Sequence, residues 1–247
     1  MDYITPQRKI HWYQTVWGVG LIGLGVFVGA VIVLFSILTI KFVFDIRAGK
    51  GGEAGREFYG SFTPFTGLNS TSGSIDRARL EEGDFPYLGS STAATTIVEF
   101  VDFKCPNCRT AHPIMQQVVQ KHGSKVKLII RELPFESLHP GTTDLAYVAV
   151  CSREQGKFWA VYDYFFVNQD RLPEKWSEND TVELARFLDM DSQKLLACIK
   201  KPATQQAVNR DYADAISSGA RGTPTFFVNG RKLEGVVPLS VWEEILK

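Results

Sequence analysis

The chain has 247 residues, its 27 Lys and Arg balance 27 Asp and Glu, and 45% of the residues are apolar. Zero net charge gives no electrostatic reason to expect nucleic acid or an anionic membrane surface, and so apolar a composition excludes a disordered chain. Four cysteines are too few for a disulfide-stapled scaffold, and the length allows one sizeable domain with an appendage.

Val16 to Ile40 carries no charged residue. At about 1.5 Å per residue, a helix of that length exceeds the ~30 Å hydrocarbon core of a bilayer. It is also longer than the roughly 7 to 15 apolar residues of a cleaved signal, and no small-residue cleavage site follows Ile40. The expectation is a flank over residues 1–15 and one transmembrane helix over residues 16–40, embedded in the lipid bilayer. Trp12, Tyr13 and Trp17 would lie at the headgroup layer. Arg8 and Lys9 precede the span while Lys41, Arg47 and Lys50 follow it, so charge bias does not set its orientation. Gly25 and Gly29 form a G-x-x-x-G spacing that lets two helices approach closely, so a homodimer is one expectation. Residues 41–83 are rich in Gly, Ser and Thr, which bury too little surface to offset their ordering entropy; they read as a flexible tether interrupted by Phe58, Tyr59, Phe62 and Phe65.

Residues 84–247 read as one α/β domain. Thr95 to Val101 and Lys125 to Leu133 are β-branched, apolar strands, and Cys105 to His122 between them is helical with Pro113 as a kink, which makes a β-α-β unit. A helical block follows at Thr143 to Gln155, Lys157 to Asn168, near Asp180, near Asp191, and at Ala203 to Ser218, with Asp180 and Asp191 as expected N-caps. Thr225 to Val228 returns to strand. Asn229-Gly230 then signals a two-residue hairpin, with Arg231 to Leu233 pairing back and a helix over Pro238 to Lys247.

Cys105-Pro106-Asn107-Cys108 sits where the first strand gives way to the helix. A sulfur there meets unpaired backbone N–H groups and the positive end of the helix dipole, which favour thiolate over thiol; C-x-x-C cysteines reach pKa values of roughly 3.5 to 7.5. Pro106 suits the first helical position, where its missing donor costs nothing. Cys105, before the first turn, is expected to be exposed and to exchange with a partner, and Cys108, one turn in, to be shielded and to resolve the mixed disulfide. The alternative, half a zinc site, lacks a second C-x-x-C or a close His pair: His112, His139, Cys151 and Cys198 are irregularly spaced, so no metal is expected. His112 reads as a surface residue, and Phe158, Trp159, Phe165 and Phe166 as core. Cys151 and Cys198 lie among apolar neighbours, either as buried free thiols or as a disulfide closing a long loop.

The Phe103-to-Cys108 segment, together with Gly222-Thr223-Pro224-Thr225-Phe226-Phe227-Val228-Asn229-Gly230, resembles the DsbA family of bacterial thiol:disulfide oxidoreductases; Gln155-Gly156-Lys157-Phe158-Trp159 and the single span resemble its membrane-anchored branch. The resemblance covers about residues 84–247. It implies a thioredoxin fold with an inserted α-helical domain at about 140–218, preceded by the transmembrane helix. It further implies a cis Pro224 beside the C-x-x-C, Thr223 offering its backbone to an extended substrate, and a buried acid at Glu99 beneath the sulfurs. The family's basic companion to that acid is missing, since Ile130 falls at its position and Arg131 points the other way. Where this chain has Asn107 the family often has His, whose positive charge would further favour thiolate, so a higher Cys105 pKa and a less oxidising couple are expected. A comparable second pair in the family favours the Cys151–Cys198 disulfide.

The implied activity is introduction of disulfides into exported proteins, without a cofactor, by a single-pass membrane protein whose catalytic domain is extracytoplasmic. Implied partners are reduced or unfolded exported substrates and a membrane redox partner that reoxidises the enzyme. A disulfide isomerase or reductase, and a binding protein or chaperone with incidental cysteines, are the alternatives.

Overall fold

A computed structural model describes residues 16–47 and 76–247, which fall in two units, Met1–Asn69 and Ser70–Lys247. The first contains helix α1 (Val16–Arg47). Its stretch Leu24–Lys41 is long and apolar enough to cross a membrane, and none of it is buried within the chain. The helix outlasts the expected span by seven residues, because Lys41 to Arg47 lowers hydropathy without supplying a Gly or Pro that would end a helix. The expected tether is therefore shortened at this end. It is shortened at the other end too, where α2 (Arg77–Glu81) is capped by the Asp76 side chain, which accepts from the Arg79 N–H. The flank with Trp12 and Tyr13, and the tether residues 48–75, lie outside the described residues.

The second unit is built on a five-stranded sheet in the order β1-β3-β2-β4-β5, from β1 (Tyr87–Gly89), β2 (Thr95–Val101), β3 (Val126–Glu132), β4 (Thr225–Val228) and β5 (Arg231–Glu234). Only β2 and β3 are parallel, joined through α3 (Pro106–His122). β4 runs antiparallel to β2, and Asn229 and Gly230, both at positive φ, turn the chain into β5. The short edge strand β1 carries too little pattern to be read from sequence. It pairs antiparallel with β3.

Between β3 and β4 come α4 (Thr142–Ser152), α5 (Phe158–Val167), α6 (Glu178–Phe187), α7 (Ser192–Ile199) and α8 (Pro202–Ser217); α9 (Leu239–Ile245) closes the chain on α3. Asp191 caps α7 as expected. At α6, however, Ser177 is the cap and Asp180 its reciprocal partner three residues on, so the helix begins one turn early. The last helix of the expected insert, α8, packs both against α4 and against β3.

Period-2 alternation sends β2 side chains into two cores. Ile97 and Val101, with Leu128, Ile130 and Phe226, face α3, α5 and α9; Val98 and Phe100, with Ile129 and Phe227, face α8 and α2. On the second face the buried Arg131 guanidinium donates to Asp211 Oδ1, to Asp214 Oδ2 at 2.6 Å and to the Arg79 carbonyl, and it lies over the Phe85 ring. A buried cation is tolerated there because every face of it is occupied.

A disulfide joins Cys151 in α4 to Cys198 in α7, with their Cα atoms 5.7 Å apart at a sequence separation of 47. Closing so long a loop stabilises the fold by roughly 3 to 4 kcal/mol in the chain-entropy account. The Cys151→Ala/Cys198→Ala double variant should lose about that much in guanidinium unfolding of the full chain; a loss below about 1 kcal/mol would show that the loop is already restrained without the bond.

Candidate active site

Helix α3 starts where β2 ends, and the turn between them is held by one carboxylate. Asp102 is buried. Its Oδ1 accepts from the Lys104 N–H at 2.8 Å and the Thr142 hydroxyl at 2.6 Å, and its Oδ2 accepts from the Phe135 N–H and from His139 Nδ1, each at 2.9 Å. The Cys105 N–H donates to the Asp102 carbonyl, which sets Cys105 as the N-cap of α3 with Pro106 at the first helical position.

The neighbouring residues tie this turn to the insert. The Lys104 ammonium donates to three carbonyls, those of Pro140, Pro173 and Glu174. Gln169 Nε2 donates to the carbonyls of Phe103 and Cys105 at 2.8 and 3.0 Å. Gly141, at φ 77°, lets the Glu174 backbone pass where a Cβ would collide with it. A cavity of about 360 Å³ opens beside Pro106, lined by His139, Gln169 and Leu172 among others.

Cys105 and Cys108 are both free thiols. Cys105 is not exposed as its position before the helix suggested: it keeps 6% of its surface, while Cys108 keeps none. The Thr223–Pro224 loop accounts for the cover, for the Cys105 thiol donates to the Thr223 carbonyl at 3.2 Å. The Thr223–Pro224 peptide is cis, Pro224 is buried, and the Thr223 hydroxyl is buried without a partner. Asn107 is exposed.

The two sulfurs are electrostatically unlike. A hydrogen bond from the Cys108 thiol is the main cause that lowers the Cys105 pKa from 9.0 to about 6, aided by the backbone N–H groups of Cys108 and Asn107 against the opposing effect of burial. Burial pushes the Cys108 thiol well above the usual range, and its donation to Cys105 pushes the same way. Cys105 can thus be a thiolate near neutrality while Cys108 keeps its proton.

Beneath them, Glu99 is fully buried with Ile130 beside it on β3 and Phe226 on β4, and neither carboxylate oxygen has a hydrogen-bond partner. Burial raises its pKa to about 8; the Tyr162 phenol opposes that shift but makes no well-formed hydrogen bond. Tyr162, Phe103, Phe165 and Phe166 form an aromatic layer on this face; of the residues that helical spacing marked as core, Phe158, Phe165 and Phe166 are buried and Trp159 partly so. His112, read from sequence as a surface residue, is buried in that layer, with Nε2 2.7 Å from Asp163 Oδ1. It lies one turn beyond Cys108, on the buried face of α3. Sequence reading missed Asp102, Lys104, Gln169 and Tyr162; only Asp102 and Lys104, polar residues that follow a buried strand, carried any local signal. No cluster able to hold a metal ion occurs among the described residues.

A family model described as thioredoxin matches residues 81–247. Among solved structures, a thioredoxin-like oxidoreductase from Silicibacter pomeroyi is 29% identical, with a TM-score of 0.60 over 68% of this chain and 94% of that one. The thiol-disulfide exchange protein α-DsbA2 from Wolbachia pipientis is 19% identical, with a TM-score of 0.57 over 69% of this chain and 89% of that one, and shows the same fold. A Na(+)/H(+) antiporter from Herminiimonas arsenicoxydans is 34% identical over 147 residues, 60% of this chain but 22% of the antiporter. The chain spans about a quarter or less of the length of such curated relatives.

Two titrations follow. Thiolate absorbance of the reduced protein should rise around pH 6, with Cys105 alkylation falling in step as the pH drops below it; a midpoint near 3.5 would contradict the assigned environment. For Glu99 the native pKa lies above its ordinary value, so the folded state holds the proton more tightly and its contribution to stability falls as pH rises from about 4.5 through about 8. Glu99→Gln should remove that fall, read as a flatter stability profile between pH 5 and pH 8.

Proposed function

The chain belongs to the thioredoxin family, and on that premise we propose that it is a DsbA-like protein thiol:disulfide oxidoreductase that works tethered to a membrane. The observation that carries the reading is the Cys105 sulfur at the cap of α3, hydrogen-bonded to the Thr223 carbonyl, with Cys108 shielded one turn below.

In the oxidised enzyme a substrate thiolate attacks the Cys105 sulfur. The Cys105–Cys108 bond breaks, Cys108 leaves and takes up a proton, and a mixed disulfide joins Cys105 to the substrate. A second substrate thiolate attacks the substrate sulfur of that bond, Cys105 leaves as thiolate, and two electrons have passed to the enzyme. A Cys105 pKa of about 6 makes it a good leaving group. Thr223 offers its main chain for strand-like pairing with an extended substrate, and Pro106, Asn107 and Pro224 shape the surface around the sulfur. Glu99 is the site's proton carrier.

The domain reading follows from this: an anchor in α1, a tether, and a catalytic domain facing the extracytoplasmic space. The Cys151–Cys198 disulfide supports that side, because such bonds persist in oxidising compartments. Substrates are reduced or unfolded exported proteins. Reoxidation falls to a membrane redox partner, whose effective concentration a shared bilayer raises. The Gly25 and Gly29 spacing would let two anchors pair.

The full chain in detergent should catalyse oxidation of a reduced, unfolded protein in a glutathione buffer. Cys105→Ser should reduce the rate to background, and Cys108→Ser should accumulate the mixed disulfide. Its reduction potential should lie between about −270 and −120 mV, because its thiolate pKa lies between those of thioredoxin and the strongest oxidases. Undiminished catalysis by Cys105→Ser would exclude the enzyme reading, and thiol trapping that finds the pair mostly reduced in cells would favour an isomerase or reductase.

A further inference from the structure

The buried acid lacks a cation. On β3 its neighbour is Ile130, on β4 it is Phe226, and the one buried arginine of the sheet, Arg131, belongs to the opposite face. What the insert delivers to this place instead is a phenol. Tyr162 of α5 is buried, and its ring is fixed by five aromatic neighbours: Phe103 at 6.1 Å, His112 at 5.2 Å, Phe158 at 6.1 Å, Trp159 at 5.4 Å and Phe166 at 5.0 Å. Those contacts hold the ring from both the α3 and the α5 sides. The ring shares one buried cluster with Cys108, with Ile97 and Val101, which flank Glu99 on its face of β2, and with Ile130 and Phe226, which pair with it.

We propose that Tyr162 is a positioning residue for the proton that Glu99 carries: its hydroxyl donates a hydrogen bond to the Glu99 carboxylate in the state in which Cys108 holds that proton. The proposal deepens the exchange reading above and rests on it. When the Cys105–Cys108 bond is attacked, Cys108 leaves as a thiolate, and the Glu99 carboxylic acid gives it a proton, becoming a carboxylate. One proton moves and no electrons do. On reoxidation the carboxylate takes the proton back as the Cys108 sulfur attacks the mixed disulfide on Cys105. A carboxylate left alone between Ile130 and Phe226 would be strongly disfavoured, so transfer needs a donor that makes the charged form accessible without fixing it. A neutral phenol does this where a lysine would hold the acid ionised throughout. Burial, and the nearby acidity of Glu99 and Cys108, raise the Tyr162 pKa well above 10, so the phenol keeps its own proton and acts as donor only.

Other titratable groups face the pair. Cys105 and Cys108 lie near it, Glu132 lies on the same face of β3 as Ile130, and His112, paired with Asp163, packs against the Tyr162 ring. Glu132 is itself pushed well above the carboxylate range by burial, with Asp211 and Asp102 adding to the effect. Asp163 is engaged by His112 and by Gln116. That leaves the Tyr162 phenol as the donor within the cluster around Glu99 among the described residues.

The test reads the Glu99 carboxyl band by infrared titration of the reduced full chain in detergent, assigned by its loss in Glu99→Gln. The wild-type band should titrate near 8. Tyr162→Phe removes only the hydroxyl and should move the midpoint up by about one pH unit. Site-specific 3-fluorotyrosine at position 162, a stronger donor of nearly the same shape, should move it down, and this variant keeps the test open if Tyr162→Phe does not fold. The pH profile of mixed-disulfide resolution should shift with the band, and Tyr162→Phe should have no further effect in a Glu99→Gln background. A midpoint unmoved in both variants, or an equal effect of Tyr162→Phe with and without Glu99, overturns the proposal. If the band shifts as expected but the chain catalyses no thiol exchange, the exchange reading fails while the hydrogen bond between the two groups stands.

Discussion

The Asp102 carboxylate is the interaction on which the site's geometry depends. Four donors converge on it: one from its own turn and three from the segment that leaves β3 for the insert. A buried carboxylate costs several kcal/mol unless its lone pairs are filled, and four donors fill them. Because the donors come from both sides of the parallel β2–β3 pair, the turn after β2 and the crossover after β3 are fixed to each other. Cys105 is therefore placed at the cap of α3 by a long-range knot as well as by its local sequence.

Three residues upstream along the same strand, the chain does the opposite with another acid. Glu99 receives no such set of donors, and burial raises its carboxyl pKa to about 8. The other face of the sheet solves the problem a third way, with Arg131 embedded between Asp211, Asp214 and the aromatic faces of Phe85 and Phe100. The contrast is informative. At the turn and on the far face of the sheet the buried charge is fully satisfied; beneath the sulfurs both carboxyl oxygens are left without a partner.

What could be read from the sequence follows the range of the interactions. The β-branched runs of β2 and β3, the Asn229-Gly230 hairpin, the Asp191 cap and the C-x-x-C at a helix start are local, and the structure contains each of them. The burial of Cys105 was misjudged because its cover comes from Thr223, more than a hundred residues downstream. His112 was misplaced for the same reason, since its burial is imposed by Tyr162 and Phe166 of the insert. The sequence does not say what Lys104 binds. Its three acceptors are backbone carbonyls 36 to 70 residues away, and a carbonyl has no identity in a sequence.

That last point bears on how the insert serves the site. Lys104 and Gln169 fasten it to the active-site turn, and every acceptor they use is main chain: Pro140, Pro173, Glu174, Phe103 and Cys105. Such contacts demand a backbone path and leave the side chains along it free. The path is fixed by residues with restricted or special torsions, Pro140 and Pro173 through their locked φ and Gly141 through its left-handed one, while the Cys151–Cys198 bond ties α4 to α7 within the insert itself. A surface built this way can change its exposed residues, and so the proteins it meets, without moving the sulfur it surrounds. That freedom does not extend to the insert side chains that reach the site themselves: the Thr142 hydroxyl on Asp102, the Gln169 amide on the active-site turn, and the Tyr162 phenol packed against Phe103.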